Sequence, residues 1–105
     1  MARPARFSVE VADGMTTVAL LGELDLSCRD DMEAVTESLS HDGLGLVVFD
    51  LGGLSFMDST GLLALFHAKR ALNDEGRMVQ VVGAHGSVLK VIELTKMAQE
   101  LNLSP

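Results

Sequence analysis

The sequence predicts an α/β fold in which one mixed β-sheet, opened by an antiparallel hairpin, is covered mainly by helices. Three observations lead there. An Asp13-Gly14 pair separates two stretches of strand pattern; apolar residues recur at helical spacing in two later places; and short strand-like runs, Leu46-Val47-Val48-Phe49 and Met78–Val82, follow those helical stretches. Strands that alternate with helices specify parallel neighbours joined by right-handed crossovers.

Each element has its own local reason. Phe7, Val9 and Val11 alternate with Ser8 and Glu10, and a second apolar-rich run extends from Met15 to Leu21. The intervening Asp-Gly supplies the positive backbone angles of a tight two-residue turn. Cys28, Met32, Val35 and Leu39 then share one helical face, with Ser27 as the expected N-cap and Gly43 as the stop. Leu46–Phe49 has the uninterrupted apolar character of a fully buried strand. A second helix is predicted from Thr60 to Asn73, with Leu62, Leu65, Phe66 and Leu72 inward and Gly76 as terminator. After the strand at Met78–Val82, Ser87 is the expected cap of a helix carrying Val88, Val91 and Ile92. Thr95 is expected to start a further turn, and Glu100–Leu103 to form a last edge strand.

Length and composition bound what such a fold does. A chain of 105 residues suits one domain spanning 1–105, and 48% hydrophobic with 22% charged residues is an ordinary globular balance. No run approaches the roughly 18 apolar residues of a membrane span, so a soluble cytoplasmic protein without membrane insertion is expected. The formal net charge of -7 argues against direct nucleic-acid binding, which rests on Lys and Arg neutralising phosphates. One cysteine, Cys28, makes no internal disulfide and no thiolate metal site, so neither metal nor cofactor is expected.

The chemistry concentrates in Asp50-Leu51-Gly52-Gly53-Leu54-Ser55-Phe56-Met57-Asp58-Ser59-Thr60-Gly61-Leu62, which carries a buried strand into the next helix. Groups at the carboxyl end of a strand and on the first turn of the following helix are placed to meet a ligand. Ser59 stands there. A serine at a helix start serves as an N-cap, and the same place also favours an attached phosphate, because free N–H groups and the helix dipole stabilise an anion. Position alone leaves both roles open.

Phe56-Met57-Asp58-Ser59-Thr60-Gly61-Leu62 resembles the phosphorylation segment of the STAS-domain anti-sigma factor antagonists. Gly22-Glu23-Leu24-Asp25 resembles that family's segment after the second strand, and Leu94-Thr95 stands where its late Leu-Thr-Gly-Leu pattern falls. The resemblance implies a single STAS-like domain, with a mixed sheet, an N-terminal hairpin and helices packed mainly on one side. It also implies that Ser59 is phosphorylated by an anti-sigma factor that is itself a serine kinase. The unphosphorylated form would bind that kinase and free a sigma factor; phosphorylation would switch binding off until a phosphatase acts. Asp25, Asp58, Thr60, Gly61, Leu63 and His67 are the expected partner-binding residues. The chain departs from the family pattern at Ser27-Cys28-Arg29, at Lys96-Met97 and at Leu63 with His67. An alternative from the same resemblance is a noncatalytic docking subunit of a stress-sensing or membrane transport assembly, and a homo-oligomer is compatible with either.

Enzymatic readings fit less well. Met57 occupies the place where a Gly-x-Ser-x-Gly nucleophile elbow needs glycine, and no spacing selects His41, His67 or His85 as a base. Gly83-Ala84-His85-Gly86 lacks the Gly-Lys-Ser/Thr ending of a nucleotide loop, so it reads as a tight turn; Gly52-Gly53 reads as a flexible approach to Ser59. No catalytic residue is assigned.

Overall fold

The computed structural model describes residues 4–40 and 45–104. β1 (Arg6–Ala12) and β2 (Met15–Leu24) form the antiparallel hairpin, joined through Asp13 and Gly14 at φ of 54° and 75°. A 3-10 turn at Leu26–Cys28 leads into α1 (Arg29–Ser40). Then come β3 (Leu46–Met57), α2 (Ser59–Asp74), β4 (Met78–Val82) and α3 (Gly86–Leu94). The sheet has four strands in the order β1-β2-β3-β4, and β3 is parallel to both β2 and β4.

Strand order equals chain order, so successive right-handed crossovers place α1 and α2 on the same face. The period-2 burial of β2 agrees: Thr16, Val18 and Leu20 are buried, whereas Met15 and Leu21 are exposed. The core on the helix side joins Val18, Leu20, Phe49, Leu51 and Val81 to Met32, Leu65, Leu72 and Ile92. Arg77, only 3% exposed, ties the far end of this layer together by donating to the carbonyls of Leu39 and Gly45 and to the Thr16 hydroxyl.

Several boundaries differ from the sequence expectation. β3 runs on through Gly52-Gly53 to Met57, because it keeps pairing with β2 after passing the end of β4. Register shifts between Ala19 and Leu21 and between Gly22 and Glu23 absorb the extra β3 residues. Gly52 and Gly53 are therefore strand residues at a bulge. Ser27 does not cap α1: Asp25 caps the preceding 3-10 turn, and the Ser27 N–H and hydroxyl donate to it. Ser87 lies inside α3, whose N-cap position is held by His85 without a side-chain bond. Gly43 and His41 lie outside the described residues.

The helix ends explain one departure from the family pattern. Gly76, at φ 84°, closes α2 in a Schellman motif: its N–H donates to Asn73 and the Arg77 N–H to Leu72. α3 closes identically, with Lys96 N–H on Glu93 and Met97 N–H on Ile92, but here Lys96 takes the left-handed φ of 59°. Thr95 ends α3 and its hydroxyl donates back to the carbonyls of Val91 and Ile92. The tail makes a single parallel bridge, Leu103 to Val81, in place of a full strand.

Candidate functional site

β2 and β3 end side by side, with Leu24 paired to Met57, so Asp25 and Asp58 leave adjacent parallel strands at the same end of the sheet. Each carboxylate then closes the turn that follows it. Asp58 Oδ1 accepts from the Thr60 hydroxyl at 2.6 Å and from the Gly61 N–H at 2.9 Å. Asp25 Oδ1 accepts from the Ser27 hydroxyl at 2.6 Å and from the Ser27 N–H at 3.0 Å. The donors stabilise the ionised form of Asp58, the Thr60 hydroxyl first, and hold its carboxyl below the usual range against the opposing effect of burial.

Asp58, and not Ser59, is the N-cap of α2. Ser59 is the first helical residue and is exposed, and among the described residues nothing bonds to its hydroxyl. Thr60 is also exposed, but its hydroxyl is engaged with Asp58. The cap, which the sequence leaves open at Ser59, thus falls to its neighbour Asp58, and the Ser59 hydroxyl is left unengaged among the described residues.

Gly61 lies beneath the surface, contrary to its expected place on a partner-facing patch. A Cβ there would stand 2.2 Å from the Leu24 carbonyl oxygen, a separation that no real side chain tolerates. Absence of that Cβ lets the first turn of α2 sit against the end of β2. Gly61 therefore sets the position of Ser59 from below.

Leu63 and His67 follow Ser59 at successive intervals of four along α2, and both are exposed, as is Arg70. Leu63 is 51% exposed, which makes it an apolar knob one turn beyond Ser59. His67 also borders a groove of about 350 Å³ between α1 and α2, floored by Met32, Ala64 and Ala68. Two further exposed apolar side chains belong to this end of the sheet and are absent from the sequence expectation: Leu26, directly after Asp25, and Phe56, two residues before Asp58. For Phe56 the strand period carries the signal: it precedes buried Met57 on β3, so its side chain points to the opposite face.

His85 Nε2 lies 3.1 Å from the Gly52 carbonyl oxygen, in the turn between β4 and α3. That contact gives His85 a structural partner well away from Ser59 in sequence. Among the described residues no group of three His, Cys, Asp or Glu side chains is arranged to hold a metal ion, and no helix is long and apolar enough to cross a membrane.

Two capped junctions at the carboxyl ends of adjacent parallel strands, on a four-stranded mixed sheet with three helices, define the class. The STAS domain family model matches residues 6–105, and the chain belongs to that family. It is similar to an anti-sigma-B factor antagonist of Staphylococcus aureus, 26% identical over 88% of this chain and 85% of the relative. Among solved structures it is similar to an anti-sigma factor antagonist from Mycobacterium paratuberculosis, with a TM-score of 0.84 and 27% identity over 96% of this chain and 86% of the other. The anti-sigma factor antagonist SpoIIAA in its unphosphorylated form shares the fold, with a TM-score of 0.76 at 20% identity over 95% of this chain and 89% of that one.

Proposed function

We propose that this STAS domain is an anti-sigma factor antagonist that works by partner exchange, without catalysis of its own. In its unphosphorylated form it binds an anti-sigma factor serine kinase and frees a sigma factor. The kinase transfers the γ-phosphoryl group of ATP to Ser59 Oγ, the hydroxyl proton is released, and ADP leaves. Phospho-Ser59 protein dissociates, and a phosphatase hydrolyses the ester to restore the binding form. The carrying observation is the exposed Ser59 hydroxyl beside Asp58, with Thr60 already engaged. Names of the relatives support the partner class.

The added charge acts differently in two surroundings. Phosphate brings about -1.5 to -2 at neutral pH. On the free domain it stays solvated at the start of a 16-residue helix, where the dipole contributes roughly 0.3–1 kcal/mol in its favour. Against a kinase surface fitted to neutral Ser59 next to ionised Asp58, the same group loses water and meets negative charge, at a cost of several kcal/mol.

The test is to incubate the chain with the anti-sigma factor and ATP, locate the added mass by fragmentation, and titrate both forms against the kinase with ADP. One phosphoryl group on Ser59, an unchanged melting curve and a large loss of affinity are expected. Equal affinities of the two forms refute the switch, and tight binding without any phosphorylation favours a docking subunit.

A further inference from the structure

The two edges of the sheet are finished differently. Outside β4, the tail covers the edge: the Val81 N–H donates to the Asn102 carbonyl and the Ser104 N–H to the Val81 carbonyl. Outside β1, no described residue pairs with the strand along Phe7–Ala12. Edge strands are commonly protected by proline, lysine or a bulge. β1 has the sequence RFSVEVA and an unbroken register with β2, so it carries none of the three. It also leaves Val9 48% and Val11 71% exposed.

The backbone direction follows from the turn. In a two-residue hairpin the pair flanking the loop, here Ala12 and Met15, exchanges both hydrogen bonds, and bonded pairs alternate from there. Glu10, Ser8 and Arg6 therefore turn their backbone groups towards β2, while Phe7, Val9 and Val11 turn theirs outward. Ala5 ends the usable edge, because its N–H is held by Cys28 Sγ at 3.3 Å.

We propose that β1 is a self-association edge, on which a second copy of this chain adds its own β1 antiparallel about a two-fold axis at Ser8. This register puts Phe7 opposite the partner copy's Val9 as a hydrogen-bonded pair, and does so twice. It also sets exposed Arg6 opposite Glu10 of the other copy, again twice, on the face away from the helices. An axis at Val9 satisfies the backbone equally but leaves Arg6 opposite Ala12 and Glu10 opposite Ser8. Charge complementarity thus selects both the occupant and the register: the strand matches itself. Phe7 and Val9 lie on the face that carries Val18 and Leu20, so the paired strands extend the apolar row of the core.

The experiment is sedimentation of the full chain, in low and high salt, at concentrations up to about 1 mM, where even a millimolar Kd is visible. A monomer–dimer equilibrium weakened by salt is expected. Arg6→Glu and Glu10→Arg each create two like-charge pairs and weaken association by about tenfold or more. Mixing these two variants, or combining them in one chain, restores opposite charges and returns the wild-type dimer constant. Both positions are exposed, and melting curves of the single variants check that each remains folded. A wild-type chain that stays monomeric throughout overturns the proposal. So does a dimer whose constant is unchanged by either single substitution, or one that the double substitution fails to restore.

Discussion

The junctions after β2 and β3 are near copies of each other with one difference that matters. In both, an aspartate leaves the strand and its Oδ1 accepts from a hydroxyl two residues on, Ser27 or Thr60, at the same 2.6 Å. The residue between aspartate and hydroxyl is Leu26 in one and Ser59 in the other. At the third position stands buried Cys28 or buried Gly61. The carboxylate–hydroxyl turn is therefore a shared way of ending adjacent parallel strands, and it does not by itself mark a site. What marks the second junction is the additional hydroxyl that the turn leaves unused.

The largest predicted effect separates the two junctions outright. With a competent kinase, Ser59→Ala loses phosphoryl uptake completely, whereas Ser27→Ala retains it and Thr60→Ala is labelled mainly on Ser59. Radiolabel or intact mass reads the outcome. Wild-type labelling of Ser59→Ala would show that the difference between the junctions carries no function.

Next in size is Gly61→Ala. The added methyl meets the Leu24 carbonyl, which is backbone and yields only if α2 or β2 shifts. Overpacking of this kind costs about 1–3 kcal/mol, so a clear drop in Tm is expected, together with slower labelling as Ser59 moves. Cys28→Ala at the matching place of the first junction removes atoms instead of adding them. It should lower stability without affecting the labelling rate.

How far the sequence revealed this arrangement depends on the range of the interactions. The hairpin was legible because Asp13-Gly14 fixes its own turn, and β4 because its five residues are bounded on both sides. The end of α2 was legible from Gly76. Less legible were features set across strands. The extension of β3 to Met57 depends on β2 lying alongside, and glycines at 52 and 53 read as a loop to any local argument. The cap of α2 stays open in the sequence for a similar reason: Asp58 and Ser59 are both good N-cap types, and the fold decides which side chain turns back. Gly61 looked like part of a surface motif because its constraint, the Leu24 carbonyl, is distant in sequence. The exposure of Leu63 and His67 is legible because helical spacing is itself local and sets them away from inward-facing Leu62 and Leu65.

A smaller effect tests the carboxylates. Asp58→Ala removes the cap of α2 and is expected to cost about 1 kcal/mol, seen as a shift in denaturant midpoint at unchanged slope. Asp58→Asn keeps an acceptor oxygen, so its stability loss is smaller and its loss of kinase affinity is the larger effect. Asp25→Asn changes the first junction alone and should leave the labelling rate nearer to wild type. A large stability loss in Asp58→Asn with normal kinase affinity would reduce Asp58 to a cap, on a par with Asp25.

The smallest predicted effect is the pH dependence that Asp58 contributes, and its sign follows from the donors around it. The Thr60 hydroxyl and the Gly61 N–H favour the carboxylate, so the folded state binds a proton less readily than the unfolded chain does. Between the two affinities the unfolded state holds more protons, and stability therefore rises with pH there. The contribution is complete above the ordinary aspartate value of about 3.9 and fades as pH falls through the lower folded value. Asp58→Asn lacks the titrating group. Urea unfolding of both proteins from neutral pH down to about 2.5 should show their stability difference holding steady and then shrinking at the acid end. A difference that widens on acidification would mean that the Thr60 and Gly61 bonds do not favour the charged form of Asp58.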